Sequence, residues 1–249
     1  AGVDLGELGP STVRTAEAMG AGSGQPCADP HTVFIAVPPD QIAAEVDAAL
    51  RRFPRATVSD VGSVKSEPIA ALRDSGADLS RYVCGHPMAG REISGAAAGR
   101  GDLFEDRPWI LTPIAETDAT RLAEITGFAE SLHAVVRMMD PDEHDRAVAL
   151  CSHAPQVVAS LLAGQLLGAS AADVSVAGPG VRDTTRIPAS DPVLWAQILL
   201  ANADHVEVYL DQFAADVEQF RAALLKRDAV GVRDLLDKGA AGGGRLPGK

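Results

Sequence analysis

Aromatic residues make up only 4% of this 249-residue chain, so its interior must be built from aliphatic side chains and alanine. Cysteine is scarce too. Cys27, Cys84 and Cys151 are odd in number and lack metal-ligand spacing, which excludes a disulfide framework or a thiolate metal site and points to reduced thiols in the cytoplasm. Basic residues are outnumbered, giving a net charge of −12 with no basic stripe to override it, and this argues against nucleic acid as a partner. No apolar run approaches the roughly 20 residues of a membrane span, and the amino terminus lacks a signal-peptide pattern. A glycine fingerprint for pyrophosphate is also missing, because Gly20-Ala21-Gly22-Ser23-Gly24 comes after a helical stretch and reads as a flexible loop.

The residues that are present alternate in pattern. Ala1 to Asp4 reads as the end of a strand with Asp4 at its carboxyl tip, and Thr12 to Met19 as a helix closed by Gly20. The apolar run Thr32 to Val37 reads as a buried strand stopped by Pro38-Pro39, with Asp40 as the N-cap of the next helix. Further strands are expected at Thr57–Asp60, Tyr82–Gly85, Trp109–Thr112 and Val135–Met138, and helices at Lys65–Asp74 and Asp118–Leu132. Met138-Met139 reads as core. Such alternation implies a mostly parallel sheet covered on both faces. After Asp140-Pro141 only helical patterns remain. Glu143 to Leu167 reads as a helix that is apolar apart from a few polar residues and that Pro155 should kink, and Asp191-Pro192 starts a helix expected to reach about Leu225. Its seam of Trp195, Leu199, Asn202, Val206, Tyr209 and Phe213 is coiled-coil-like and is expected to pack against a partner subunit. The expected organisation is therefore residues 1–139, an incomplete Rossmann-like domain, then an all-helical domain at 140–238 and a flexible tail at 239–249.

Chemistry gathers around Gly85-His86-Pro87-Met88-Ala89-Gly90, where a histidine at a strand's end points from the sheet's carboxyl edge. Asp4 is either a turn residue or an acid for a nucleotide's ribose. Val37-Pro38-Pro39 and Asp60-Val61-Gly62-Ser63 both come directly after strands; they serve either as ordinary turns or as flat loops beneath a nucleotide. Asp145, Ser152 and Gln156, spaced by seven and four, share a helix face and need either an internal network or a ligand. His144-Asp145 suggests a metal-dependent phosphohydrolase, but the further ligands are not laid out, so no metal is expected. His153 reads as structural. Arg186 is either a surface charge or a clamp for a carboxylate, and Glu92, Asp145, Asp183 and Arg186 together suit an ionic cluster at the mouth of an interdomain cleft.

In order along the chain, Asp60-Val61-Gly62-Ser63-Val64-Lys65, Gly85 to Gly90 with Glu92 and Ser94-Gly95, His144-Asp145 with Ser152-His153-Ala154-Pro155, and Asp183 to Arg186 with Ser190-Asp191-Pro192 and Trp195 resemble the prephenate/arogenate dehydrogenase family of tyrosine biosynthesis. The resemblance runs from about Asp4 to Leu225 and implies a nucleotide-binding domain succeeded by a helical dimerisation domain in a cytoplasmic homodimer. It implies that prephenate gives hydride to NAD⁺ and loses CO₂ as its ring becomes aromatic. By the same resemblance His86 and Ser63 act on the ring hydroxyl as catalytic residues, and Arg186 clamps a substrate carboxylate. Ser152, Gln156 and Trp195 face the substrate, while Glu92, Asp145 and Asp183 form a gating network. Asp4, Val37, Pro38, Pro39, Asp60, Gly62 and Ser63 line the NAD site.

Two departures from the family pattern matter. Many relatives carry histidine where Gln156 stands, which leaves arogenate as the alternative substrate. The first strand and glycine loop expected before Asp4 are missing from this sequence, so weak cofactor binding is the expectation for the chain as it stands. Arg245 to Lys249 stands where some relatives continue into a regulatory domain. The competing readings are a 3-hydroxyacid-type dehydrogenase and an inactive dimerising remnant.

Overall fold

The structure, a computed structural model, describes residues 9–90 and 95–246. Helix α1 (Pro10–Ala18) precedes strand β1 (Thr32–Ile35), helix α2 (Pro39–Arg52), strand β2 (Thr57–Asp60), helix α3 (Ser66–Asp74) and strand β3 (Tyr82–Pro87). Strand β4 (Pro108–Thr112), helix α4 (Ala119–Ser131) and strand β5 (Val135–Met138) complete one sheet in the order β1-β2-β3-β4-β5. Pairing is parallel except between β3 and β4, where His86 lies opposite Ile110. Strand direction is not written in an apolar run, so that antiparallel step escapes sequence reading.

Alternating side chains of each strand serve the two faces. Ile35, Val58, Tyr82 and Cys84 pack with Ile42, Val46 and Leu50 of α2 and Ile69 and Leu72 of α3. Val83, Trp109 and Leu111 pack with Ile125 and Ala129 of α4 on the other. His86 continues the row Tyr82–Cys84, so β3 aims it toward the α2–α3 side. Edge strand β5 leaves Met138 49% exposed, against the expectation that it is core. Pro38, not Asp40, precedes α2; Asp40 falls in the first turn and accepts a hydrogen bond from Gln197 Nε2 at 3.1 Å.

Helices α5 (Pro141–Val148) and α6 (Ala154–Gln165) are joined by a π turn at Ala149–His153. The ring of Pro155 would collide with a carbonyl of the preceding turn, and widening that turn relieves it. By length and composition the run Pro141–Gly168 is apolar enough to cross a membrane, which corrects the expectation that no such run exists. Its buried His144, Asp145 and His153 are nevertheless committed to protein partners. Short helices α7 (Ala171–Ser175) and α8 (Pro179–Thr184) lead to α9 (Pro192–Ala201), capped by Asp191 as expected.

The expected single helix from Asp191 to Leu225 is broken at Asn202, and α10 (Ala203–Lys226) begins after it. Contacts divide the chain into residues 1–203 and 204–249. In the second unit α10 turns at Arg227, in the left-handed region (φ 55°), into α11 (Ala229–Gly243). Asp228 caps α11 by accepting from Gly231 N at 3.0 Å, and Lys238 pairs with Asp216 at 2.9 Å. Helix α11 thus continues through Gly239, where a flexible tail was expected to start.

Candidate active site at the carboxyl edge of the sheet

Asp60 ends β2 and is fully buried. Its Oδ1 accepts from Tyr82 Oη at 2.9 Å and Gly85 N at 3.2 Å; its Oδ2 accepts from Gly62 N at 2.9 Å and pairs with Lys65 Nζ, itself 1% exposed. A carboxylate with four donors has no capacity left for a ligand. Asp60, expected to line the cofactor site, instead faces inward and fixes the two backbone segments that carry Ser63 and His86. Both segments need glycine. A Cβ at Gly85 would lie 2.8 Å from the Asp60 carbonyl, and one at Gly62 would run into Ile42. Beside this cluster the Cys84 thiol is pushed up to about 12 by burial and then by Asp60, which makes it an inert core residue.

Behind His86 stands a second polar chain. His86 Nδ1 lies 2.8 Å from His144 Nε2, and His144 Nδ1 lies 2.7 Å from Asp145 Oδ1. Asp145 also accepts from Lys65 N at 2.9 Å through Oδ1 and from Ser66 N at 2.8 Å through Oδ2. Those are the first free amides of α3, so a side chain from α5 caps that helix across 79 residues of sequence. Burial pushes the Asp145 carboxyl upward, but hydrogen bonds from His144 and Ser66 outweigh it, and the pKa falls below the ordinary value. Asp145 is 1% exposed, so its expected place in a gating network at a cleft mouth is corrected: it is an internal anchor. His86 is 8% exposed, and burial first, then His144, Lys65 and His153, push its pKa well below the ordinary histidine value. It is therefore uncharged at neutral pH.

Asn202, at the break between α9 and α10, uses both amide hydrogens: one goes to the Asp145 carbonyl at 2.8 Å and one to His153 Nδ1 at 3.0 Å. His153 Nδ1 is thus an acceptor, and its proton sits on Nε2, which has no hydrogen-bond partner among the described residues. Burial lowers the His153 pKa to about 4, with Asp145 opposing and His144 adding to the shift. Because the unfolded chain takes up that proton near pH 6.5 and the folded one only near 4, stability should be fully present above 6.5. It should fall as pH drops toward 4, by up to about 3 kcal/mol from this group. Urea titrations at about pH 7 and about pH 4.5 should show the loss, and His153→Gln should flatten it; an equally steep loss in the variant would assign it elsewhere.

The structure also locates the remaining expected residues. Ser63 is half-buried on the loop held by Asp60, and Val37 and Pro38 are half-buried between β1 and α2, with Pro39 buried as the first residue of α2. Ser152 is half-buried in the π turn. Gln156 is 5% exposed and donates to the Ile187 carbonyl at 3.4 Å, which holds the turn just after Arg186. Arg186 and Asp183 are exposed, and half-buried Trp195 meets His153 edge-on with centroids 6.1 Å apart. Asp4 and Glu92 lie outside the described residues. No group of three acidic, histidine or cysteine side chains suited to a metal occurs among the described residues.

A largely parallel sheet with its buried polar cluster at the carboxyl edge, succeeded by helices, defines a Rossmann-like protein with its site where such sheets seat a nucleotide. Comparison with known proteins makes this specific. Residues 13–138 match the prephenate dehydrogenase nucleotide-binding domain and residues 140–238 the prephenate dehydrogenase dimerisation domain. The chain belongs to the prephenate dehydrogenase family. It is 36% identical over 193 residues to cyclohexadienyl dehydrogenase of Zymomonas mobilis, covering 75% of this chain and 64% of that protein. It is 32% identical over 263 residues to the probable prephenate dehydrogenase NovF of Streptomyces niveus, covering 100% and 72%. The chain thus spans just under two thirds of the first relative's length. Among solved structures, the Aquifex aeolicus prephenate dehydrogenase in complex with hydroxyphenyl propionate and NAD⁺ superposes with a TM-score of 0.84 at 27% identity, covering 94% of this chain and 85% of that one.

Proposed function

We propose that this chain oxidises prephenate with NAD⁺, releasing CO₂ and 4-hydroxyphenylpyruvate in tyrosine biosynthesis, as a cytoplasmic homodimer. The observation that carries the reading is His86: a buried, uncharged histidine at the carboxyl end of β3, braced from behind by His144. NAD⁺, when bound, supplies the acceptor for the hydride. The chain's residues fit it: β1 and β2 end in register at Ile35 and Asp60, and the loops beyond them offer Val37 and Pro38 on one side and Gly62 and Ser63 on the other. Gly62, where a Cβ would meet Ile42 Cδ1, puts no side chain of its own on that loop. His86 takes the proton of the ring hydroxyl as the carbon–hydrogen bond breaks, and Ser63 holds the same oxygen. The helical faces that leave Phe213, Val217, Leu224 and Leu225 between 45% and 72% exposed, together with the match of residues 140–238 to a dimerisation domain, support association with a second copy.

Arg186 supplies a planar clamp for one of the two substrate carboxylates, on a turn held by Gln156. Arg186→Ala should raise KM about 10- to 100-fold, the worth of one charge-assisted pair, with little change in kcat; an unaltered KM would remove the clamp. Arogenate is the second reading, because Gln156 places no charge near the substrate's side chain and one relative is a cyclohexadienyl dehydrogenase. NADH formation measured side by side on prephenate, arogenate and a 3-hydroxyacid decides among them. Turnover of only the hydroxyacid, or of none, would overturn the proposal.

A further inference from the structure

The contact between His86 and His144 constrains where protons sit. Two ring nitrogens 2.8 Å apart share a single hydrogen, so one carries it and the other accepts it. Asp145 Oδ1 already accepts from the Lys65 amide and, as a carboxylate, can only accept from His144, which places a proton on His144 Nδ1. An uncharged His144 then has a bare Nε2, and the shared hydrogen belongs to His86 Nδ1. The opposite arrangement, with the hydrogen on His144 Nε2, requires one more proton in the chain and leaves His86 with its outer nitrogen occupied.

We infer that His144 is a positioning residue: with Asp145 behind it, it holds the proton of His86 on Nδ1 and leaves Nε2 as the bare nitrogen that takes the substrate's hydroxyl proton. The inference rests on the reading of His86 as the base. Asp145 is itself held by the Lys65 and Ser66 amides and, through its carbonyl, by Asn202, so the acceptor that orients His144 cannot swing away. Lys65 and His153 are the other cationic or titratable groups acting on His86, and both oppose a charge on it. The Asp145 carboxylate therefore has a second role: it offsets the imidazolium when that forms.

With NAD⁺ of the proposed reaction as the acceptor of the hydride, the step needs no further reactant. The carbon–hydrogen pair leaves as hydride, and the hydroxyl proton moves to His86 Nε2. The bond to the departing carboxyl gives its pair to the ring as CO₂ leaves, and the phenolate oxygen takes the proton back. His86 ends as it began, ready for the next turnover with Nδ1 still bonded to His144.

Long-range ¹H–¹⁵N correlation spectra of the labelled protein, with His86→Asn for assignment, read the tautomer without substrate or cofactor. The expected result is a protonated Nδ1 and an unprotonated Nε2 on His86 at neutral pH. His144→Phe keeps the volume but removes the acceptor; it should mix the tautomers and lower kcat about 10²-fold or more, with substrate KM within about threefold. His144→Gln restores an oxygen acceptor and should recover both the tautomer and kcat to within about tenfold of the wild type. A wild-type His86 protonated on Nε2, a His144→Phe enzyme with unchanged kcat, or a folded His144→Gln no better than the Phe variant would each overturn the inference. If His144→Phe does not fold, the wild-type spectrum and the Gln variant still decide. Absence of NADH from both dienol substrates would sink the functional reading, whereas the spectrum tests the tautomer separately.

Discussion

Replacing His86 with Asn should lower kcat about 10³-fold, roughly 4 kcal/mol of barrier, while NAD⁺ affinity changes little. Asn suits the test because its amide can still donate to His144 Nε2, where His86 Nδ1 stands 2.8 Å away, so the buried network keeps its donor and the fold survives. What it cannot do is accept a proton at an outward nitrogen. Loss of turnover without loss of folding therefore isolates the base. The same group fixes the pH dependence. Only uncharged His86 can take a proton, and burial, then His144, Lys65 and His153, lower its pKa. The acid limb of kcat/KM should accordingly lie well below pH 6.5, and activity should hold across the range where an ordinary histidine titrates. Steady-state kinetics of the variant, with circular dichroism as the folding control, settle the first point. A kcat within about tenfold of the wild type would take His86 out of the mechanism.

The features legible in the sequence are those whose physical signals are local. Strands β1, β2 and β5 and helix α4 stand within two residues of where apolar runs and Asp118 placed them, because burial and capping act through near neighbours. His86 was legible for the same reason: a histidine between Gly85 and Pro87 at a strand's end is a local pattern. Asp145 was not. Its spacing of seven from Ser152 and eleven from Gln156 promised a shared helix face, but the π turn at Ala149–His153 takes up extra residues and rotates the helix beyond it. Asp145 turned inward to cap α3, and Gln156 turned to Ile187. His144, Lys65 and Asn202 were missed as functional for a related reason: each is explained by a partner brought close only by the fold. Two signals were available. Asn202 is an amide in an otherwise apolar seam, and Lys65 stands beyond Asp60 across a glycine; buried polar groups of that kind need partners.

The largest stability effect expected is at that last pair. Lys65→Met should cost about 3–5 kcal/mol, because it strips the counter-ion from a carboxylate that no water reaches: Asp60 and Lys65 are 0% and 1% exposed. The three remaining donors, Tyr82 Oη, Gly62 N and Gly85 N, satisfy hydrogen bonding but not charge. Against a typical total of about 5–15 kcal/mol, such a loss leaves the variant close to unfolding at about 37 °C. Asp60→Asn should be similarly harmful, since it leaves a buried ammonium facing an amide. The double variant is the discriminating measurement. Removing both charges removes the uncompensated ion, so its cost should fall well short of the sum of the singles, with a coupling of about 2–3 kcal/mol in urea unfolding at neutral pH. Additive costs, or a Lys65→Met loss under about 1 kcal/mol, would mean that the pair is solvated and does not brace the site. The consequence reaches chemistry because Asp60 grips two backbone segments at once. The Gly62 amide belongs to the loop of Ser63 and the Gly85 amide to the residue before His86, so Lys65, through Asp60, holds the spacing of the two side chains proposed to act on the substrate.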